Sequence, residues 1–176
     1  DALVKEGSVA QSGAFVHLPE HGSQLAARDE TLLQRLTPHL MEAGAQGAWV
    51  RDLAEHIGEP AANLRPAMAR LARSGHLYQV VKDLYLDAAT AARLAALVRQ
   101  LALENKEPAA SDSAEVQRAS NPLPILTVAR FRDASGLGRK RAVQMLEFFD
   151  RIGLCRRVGD THVLRLESEV FKGSSE

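Results

Sequence analysis

Three consecutive cations, Arg139, Lys140 and Arg141, follow the turn Gly136-Leu137-Gly138. Beyond them Ala142, Met145, Leu146, Phe149 and Ile152 recur at helical spacing, so the cations stand in the first turn of a helix. The first N–H groups of a helix lack intrahelical partners, and its dipole favours anions there. The chemistry this permits is capture of a polyanion, above all a phosphate backbone brought close to a turn with little side-chain bulk. Arginine can also stack on an exposed base or pair with it bidentately. Behind the apolar face runs the stripe Lys140, Gln144, Glu147 and Arg151, in which Gln144 is the base-reading type. Arg156 and Arg157 precede a Gly159-Asp160 turn, and His162 and Arg165 return from it. Strand alternation puts Arg156 and Arg157 on opposite faces, so one of the two is expected at the ligand. With Arg130 upstream, the candidate nucleic-acid contacts are Arg130, Gly138, Arg139, Lys140, Arg141, Gln144, Arg156, Arg157 and His162. Phe148 lies on the helix flank and is read as packing, as is Phe149.

Net charge is zero over 176 residues, but it is unevenly spread. Residues 1–88 hold eight Lys/Arg and eleven Asp/Glu, and residues 89–176 hold fourteen and eleven. Between Arg130 and Arg165 nine cations face four carboxylates, a balance of +5. The C-terminal half is therefore the better polyanion binder.

Catalytic and metal-binding patterns are missing. Gly136–Lys140 has the wrong spacing for a nucleotide phosphate loop. His17 and His21 are four apart, but Pro19 spoils a helix between them and no Cys or acidic cluster completes a metal site. His39, His56 and His76 are scattered. The single cysteine, Cys155, excludes an internal disulfide, fits a reducing compartment, and reads as an inert strand position. No apolar run approaches a membrane span, and no signal-peptide pattern opens the chain. A start at Asp1 rather than Met suggests a fragment of something longer.

The elements that position the cations come from a duplication. VRDLAEHIGEPAANLRPAMARLARSG, Val50–Gly75, aligns without a gap with VARFRDASGLGRKRAVQMLEFFDRIG, Val128–Gly153, 78 positions later. Each block supplies a short helix, a turn and a longer helix, followed by a β-like pair. The expected fold is mostly α with small β wings: tandem winged-helix (helix-turn-helix) domains.

Residues 1–22 are read as a remnant hairpin, with arms at Leu3–Val4 and Ala14–Leu18, and a linker from Pro19. Residues 23–88 form the first winged helix. It opens with a helix bearing Leu25, Leu32, Leu33, Leu36, Leu40 and Met41 that Thr37-Pro38 should kink or end. Residues 89–170 form the second, whose first helix is capped by Asp87. Within it 107–124, rich in Pro and Ser, is expected to be a flexible insertion. Residues 171–176 are a tail. The first module's longer helix starts with Pro60, Ala61 and Ala62, which offer no charge, and so reads as a spacer or protein-contact module.

The second module is where a family resemblance becomes specific. FRDASGLGRKRAVQMLEFFDRIGLCRRVGDTHVLR, Phe131–Arg165, resembles the C-terminal winged helix of bacterial selenocysteine-specific translation elongation factors, most closely in GLGRK, LEFFDRIG and RRVGD. WVRDLA at Trp49–Ala54 and VVKDLYL at Val80–Leu86 look like the preceding winged helix of that region. HLPEH, His17–His21, resembles the exit from an earlier one, while 107–124 has no counterpart.

The resemblance implies that the last winged helix holds a hairpin in the mRNA, the selenocysteine insertion element, so that UGA is read as selenocysteine. The grip would be Gly138, Arg139, Lys140 and Arg141, with Arg156 and Arg157 helping. It implies a cytoplasmic monomer that reaches the ribosome and selenocysteyl-tRNA through the rest of the factor. It also implies no cofactor here, GTP and magnesium belonging to the N-terminal part. Read from the residues alone, two alternatives stay open: a regulator placing the same helix in a DNA major groove, and a protein-interaction scaffold.

Overall fold

The structure is a computed structural model that describes residues 10–12, 15–17, 27–104, 106–107 and 123–171. Two compact units emerge, residues 1–92 with 171–176, and residues 93–170.

In the first unit β1 (Ala10–Ser12) pairs antiparallel with β2 (Phe15–His17). Ala10–Ser12 thus pairs with part of the expected arm 14–18, while Leu3–Val4, Leu25 and the expected linker lie outside the described residues. Helix α1 (Ala27–Ala43) continues through Pro38, so the proline does not end it. Pro38 and Gln34 are both exposed, so water can satisfy the Gln34 carbonyl that proline leaves without a donor. Thr37 Oγ1 adds a bond to the Leu33 carbonyl at 2.8 Å. Leu32, Leu36 and Leu40 are buried, whereas Met41, assigned by spacing to the same stripe, is 67% exposed. One position past Leu40 is a turn of about 100°, which carries Met41 off the core.

A 3₁₀ turn (Gly44–Gln46) leads to β3 (Ala48–Trp49), α2 (Val50–Ile57) and α3 (Ala61–Arg73). The wing is β4 (Leu77–Val81) with β5 (Leu84–Asp87), in a sheet ordered β3-β5-β4. Leu36, Val50, Leu53, Leu64, Met68, Leu71 and Leu77 form one buried cluster. Each such side chain is worth about 1.5–3 kcal/mol. Phe171 also belongs here, edge-on to Tyr78 at 5.0 Å between ring centroids, rather than to a polar tail.

Asp87 Oδ1 accepts from Thr90 N at 2.8 Å and starts α4 (Ala88–Glu104). The division between units falls within this helix, at Ala92/Arg93, and not at its start.

The second unit continues with β6 (Lys106–Glu107), β7 (Leu123–Thr127), α5 (Val128–Ser135), α6 (Arg139–Arg151), β8 (Cys155–Val158) and β9 (Thr161–Leu164). The sheet order is β6-β7-β9-β8, antiparallel throughout, with Lys106 opposite Pro124. Both ends of the expected insertion 107–124 are therefore strand, because Glu107 and Leu123 pair and close it at its base. Phe131, Met145, Leu146, Phe148 and Phe149 are all buried beneath the helices.

The duplication is exact in its bounds: α5 lies 78 residues after α2 at both ends, and α6 after α3. Gly58 and Gly136 end the shorter helices in the left-handed region, at φ 68° and 70°. A β-carbon at those dihedrals is strained, which is why both copies keep glycine.

Candidate nucleic-acid interface

Helix α6 begins at Gly138, whose backbone is extended (φ −66°, ψ 154°) and which brings no capping side chain. Its carbonyl accepts from Ala142 N at 2.9 Å, closing the first turn. No acidic residue stands in that turn, so its orphan N–H groups and the dipole are left to an external anion. A β-carbon built on Gly138 meets nothing within 4 Å. The approach to the helix end is open, and Leu137 anchors the turn from below by its burial.

Arg139 and Lys140 are exposed and make no ion pair among the described residues. Arg141 is half-buried and donates to Gln144 Oε1 at 3.1 Å. Burial lowers its guanidinium from the ordinary range, though arginine remains charged throughout the physiological range. Gln144 is thus engaged by its neighbour, with its side-chain NH₂ remaining as the donor it can offer a base. On the wing both Arg156 and Arg157 are exposed, because β8 is an edge strand with open faces. Arg157 Nη1 lies 3.5 Å from Glu147 Oε1 on α6, and its Nε donates to the Gly159 carbonyl. Glu147 therefore holds the wing arginine beside the polar stripe of α6, and Arg156 is the less committed of the two.

Two of the expected site residues sit elsewhere. His162 is 3% exposed, and its Nδ1 donates to Asp150 Oδ2 at 2.8 Å. Strand β9 lies between β7 and β8 and buries His162, Val163 and Leu164 in succession, so both of its faces are covered and this ring packs inside the module, bonded to α6, instead of on the exposed wing surface. Arg130 is committed to Glu104 at 3.1 Å. Both partners come from other elements, so no local spacing announced either pair. Phe148 is also interior, with the Arg151 guanidinium 5.6 Å above its ring. Cys155 is buried, and desolvation, with the Asp150 carboxylate second, pushes its thiol up to about 12. It is a core side chain, not a nucleophile. Among the described residues no three metal-ligating side chains converge, and no helix is long and apolar enough to cross a membrane.

The family model "Elongation factor SelB, winged helix" matches residues 121–164, the stretch from β7 through β9. The mRNA-binding domain of elongation factor SelB from Escherichia coli, solved in complex with SECIS RNA, is 31% identical. It superposes with a TM-score of 0.63 over 80% of this chain and 99% of that one. The chain belongs to the selenocysteine-specific elongation factor family. The Escherichia coli factor itself is 31% identical over 165 residues, 94% of this chain and 24% of that protein. The Haemophilus influenzae factor is 29% identical over 171 residues, 97% and 25%. The chain thus spans about a quarter of the length of the factors it matches, and the matched domain is the mRNA-binding one rather than a catalytic one.

Proposed function

We propose that the second winged helix grips an mRNA hairpin of the SECIS type through the start of α6, tethering a selenocysteine-specific elongation factor where UGA is to be recoded. One observation carries the reading: two exposed cations without acidic partners, Arg139 and Lys140, stand at an uncapped helix end behind an open glycine turn. They do so in a domain whose solved relative binds SECIS RNA. Arg141 and Gln144 support the grip, and Arg156 with Arg157 reaches a neighbouring strand. Specificity comes from loop or bulged bases, since an A-form major groove is too narrow to admit a helix. The ribosome, selenocysteyl-tRNA, GTP and magnesium are engaged by the rest of a cytoplasmic factor, with this region acting as a monomer and holding no cofactor of its own.

Affinity for a bulged hairpin, a loop-scrambled hairpin and a DNA duplex, measured across a salt series, tests this. Arg139→Ala/Lys140→Ala should weaken binding to the cognate hairpin by about 1–3 kcal/mol for each side chain that bonds a base or a desolvated phosphate. Equal affinity for all three ligands, or indifference to the substitutions, would move the function to duplex DNA or a protein.

A further inference from the structure

Two polar ties join the wing of the second module to α6. Asp150 Oδ2 accepts from His162 Nδ1 at 2.8 Å inside the module. Glu147 Oε1 lies 3.5 Å from Arg157 Nη1 at the surface. The four residues form one unit. Glu147 and Asp150 are three apart on α6, hence on one face of that helix. Arg157 and His162 stand directly opposite each other on β8 and β9, hence on one face of the wing. A single helical turn thus meets a single cross-strand pair, through an inner tie and an outer one.

The duplication shows that the fold itself does not require these ties. In the first module Ala69 and Ala72 of α3 stand where α6 has Glu147 and Asp150, and the corresponding cross-strand pair of the wing is Gln79 with Tyr85. There Tyr85 is buried in the apolar cluster with Met68 and Leu71. The inner tie also works against stability. Asp150 Oδ1 is buried and accepts no hydrogen bond among the described residues, and a half-satisfied buried carboxylate stabilises less than apolar side chains of the same shape. What the ties do supply is fixed geometry. Strand β8, which carries Arg156 and Arg157, is an edge strand held on one side by β9. The ties set where that edge lies along α6, the helix whose first turn carries Arg139 and Lys140.

We infer that Asp150, His162 and Glu147 are positioning residues of the RNA grip: they lock the wing to α6, so that the wing arginines meet the hairpin at a fixed place relative to Arg139 and Lys140. The inference rests on the hairpin reading above and adds to it three residues that act through others.

Asp150→Ala/His162→Leu removes both partners of the inner tie at once, so no polar group is left stranded and the fold should persist. Circular dichroism should show a cooperative thermal transition. Affinity for the bulged hairpin should fall about tenfold, because the wing arginines must then be ordered at the moment of binding. In an Arg156→Ala/Arg157→Ala background the same two substitutions should have no further effect, whereas in an Arg139→Ala/Lys140→Ala background their effect should add. His162→Asn keeps a donor near the Nδ1 position and should bind within about twofold of the wild type. Glu147→Ala tests the outer tie at the surface and leaves the core intact, which keeps the inference open to refutation even if the double variant fails to fold. Its preference for the bulged over the loop-scrambled hairpin should fall, even as the lost negative charge raises affinity for both. Unchanged hairpin affinity in folded Asp150→Ala/His162→Leu would overturn the inference. So would an equal loss in the chain without wing arginines, or an unchanged preference in Glu147→Ala. Indifference of hairpin binding to Arg139→Ala/Lys140→Ala alone would sink the hairpin reading, and this inference with it.

Discussion

At Gly138 backbone geometry and function separate cleanly. Its dihedrals suit any residue, and an added methyl meets open space. Gly138→Ala should therefore add no backbone strain or clash, and should lower the thermal midpoint only through the N-cap preference for glycine over alanine. It should still weaken hairpin binding if the RNA backbone closes on the turn, and unchanged affinity would show that it does not. Gly136→Ala should destabilise through backbone strain instead, by roughly 1 kcal/mol, because φ is 70°. Cys155 makes a different residue-scale prediction. Its thiol is raised from an ordinary 9.0 to about 12 by burial. The folded protein then keeps a proton that the unfolded chain loses above about pH 9. Stability from this group is fully present below that value and is lost as pH climbs from 9 toward 12, by at most about 1.4 kcal/mol per unit. The denaturant midpoint of wild type should fall relative to that of Cys155→Ala over that window, and Ellman's reagent should label the thiol only on unfolding. Parallel midpoints, or labelling of the folded state at neutral pH, would contradict the burial argument.

Helices α1 and α3 are tied by Arg70, whose Nε and Nη2 donate to both oxygens of Asp29 at 2.8 and 2.7 Å. Asp29 is buried, and the Arg70 hydrogen bonds hold its carboxyl below the usual 3.8 against the opposing cost of burial. Because the folded value is lowered, this contribution is present above pH 3.8 and is lost as pH falls from there through the folded value. Asp29→Asn should lower the thermal midpoint at neutral pH and flatten the acid limb of the stability profile, as measured by circular dichroism between pH 2 and 7. An unchanged acid limb would mean the pair is incidental. This clamp was illegible in the sequence, because its members are 41 residues apart and each looks like an ordinary surface charge. The turn between α5 and α6 and the buried stripe of α6 were legible, since a glycine-bounded turn and a regular apolar stripe are local signals, whereas the first residues of α5 read as strand. Pro38 misled because proline's penalty depends on whether the abandoned carbonyl faces water, which spacing does not record. His162 misled because β9 lies between two strands and is covered on both faces, so alternation does not decide inside from outside there.

Over the whole chain one winged-helix plan is used twice, and ligand-grade residues are placed differently on each copy. The second copy has Arg139, Lys140 and Arg141 at the start of its longer helix, where the first has Ala61, Ala62 and Asn63. The preceding residues differ as well: Leu137 and Gly138 correspond to Glu59 and Pro60, and Glu59 is already bonded to Arg35 at 2.8 Å. Charge and approach are therefore separable, and a graft can tell them apart. The variant Ala61→Arg/Ala62→Lys/Asn63→Arg transfers the cations without the open turn or the basic wing. It should raise affinity for any RNA at low salt and steepen the fall of log K with log salt, because each phosphate neutralised releases counterions. It should not discriminate a bulged hairpin from its loop-scrambled form, and the gain should vanish as salt screens it. Should the graft acquire hairpin selectivity that persists at high salt, three cations at a helix end would suffice, and the glycine turn and wing arginines would lose their assigned roles. Should it gain no affinity at all, Glu59 and the acidic balance of the first half would outweigh the added charge, and local field rather than residue type would decide which copy holds RNA.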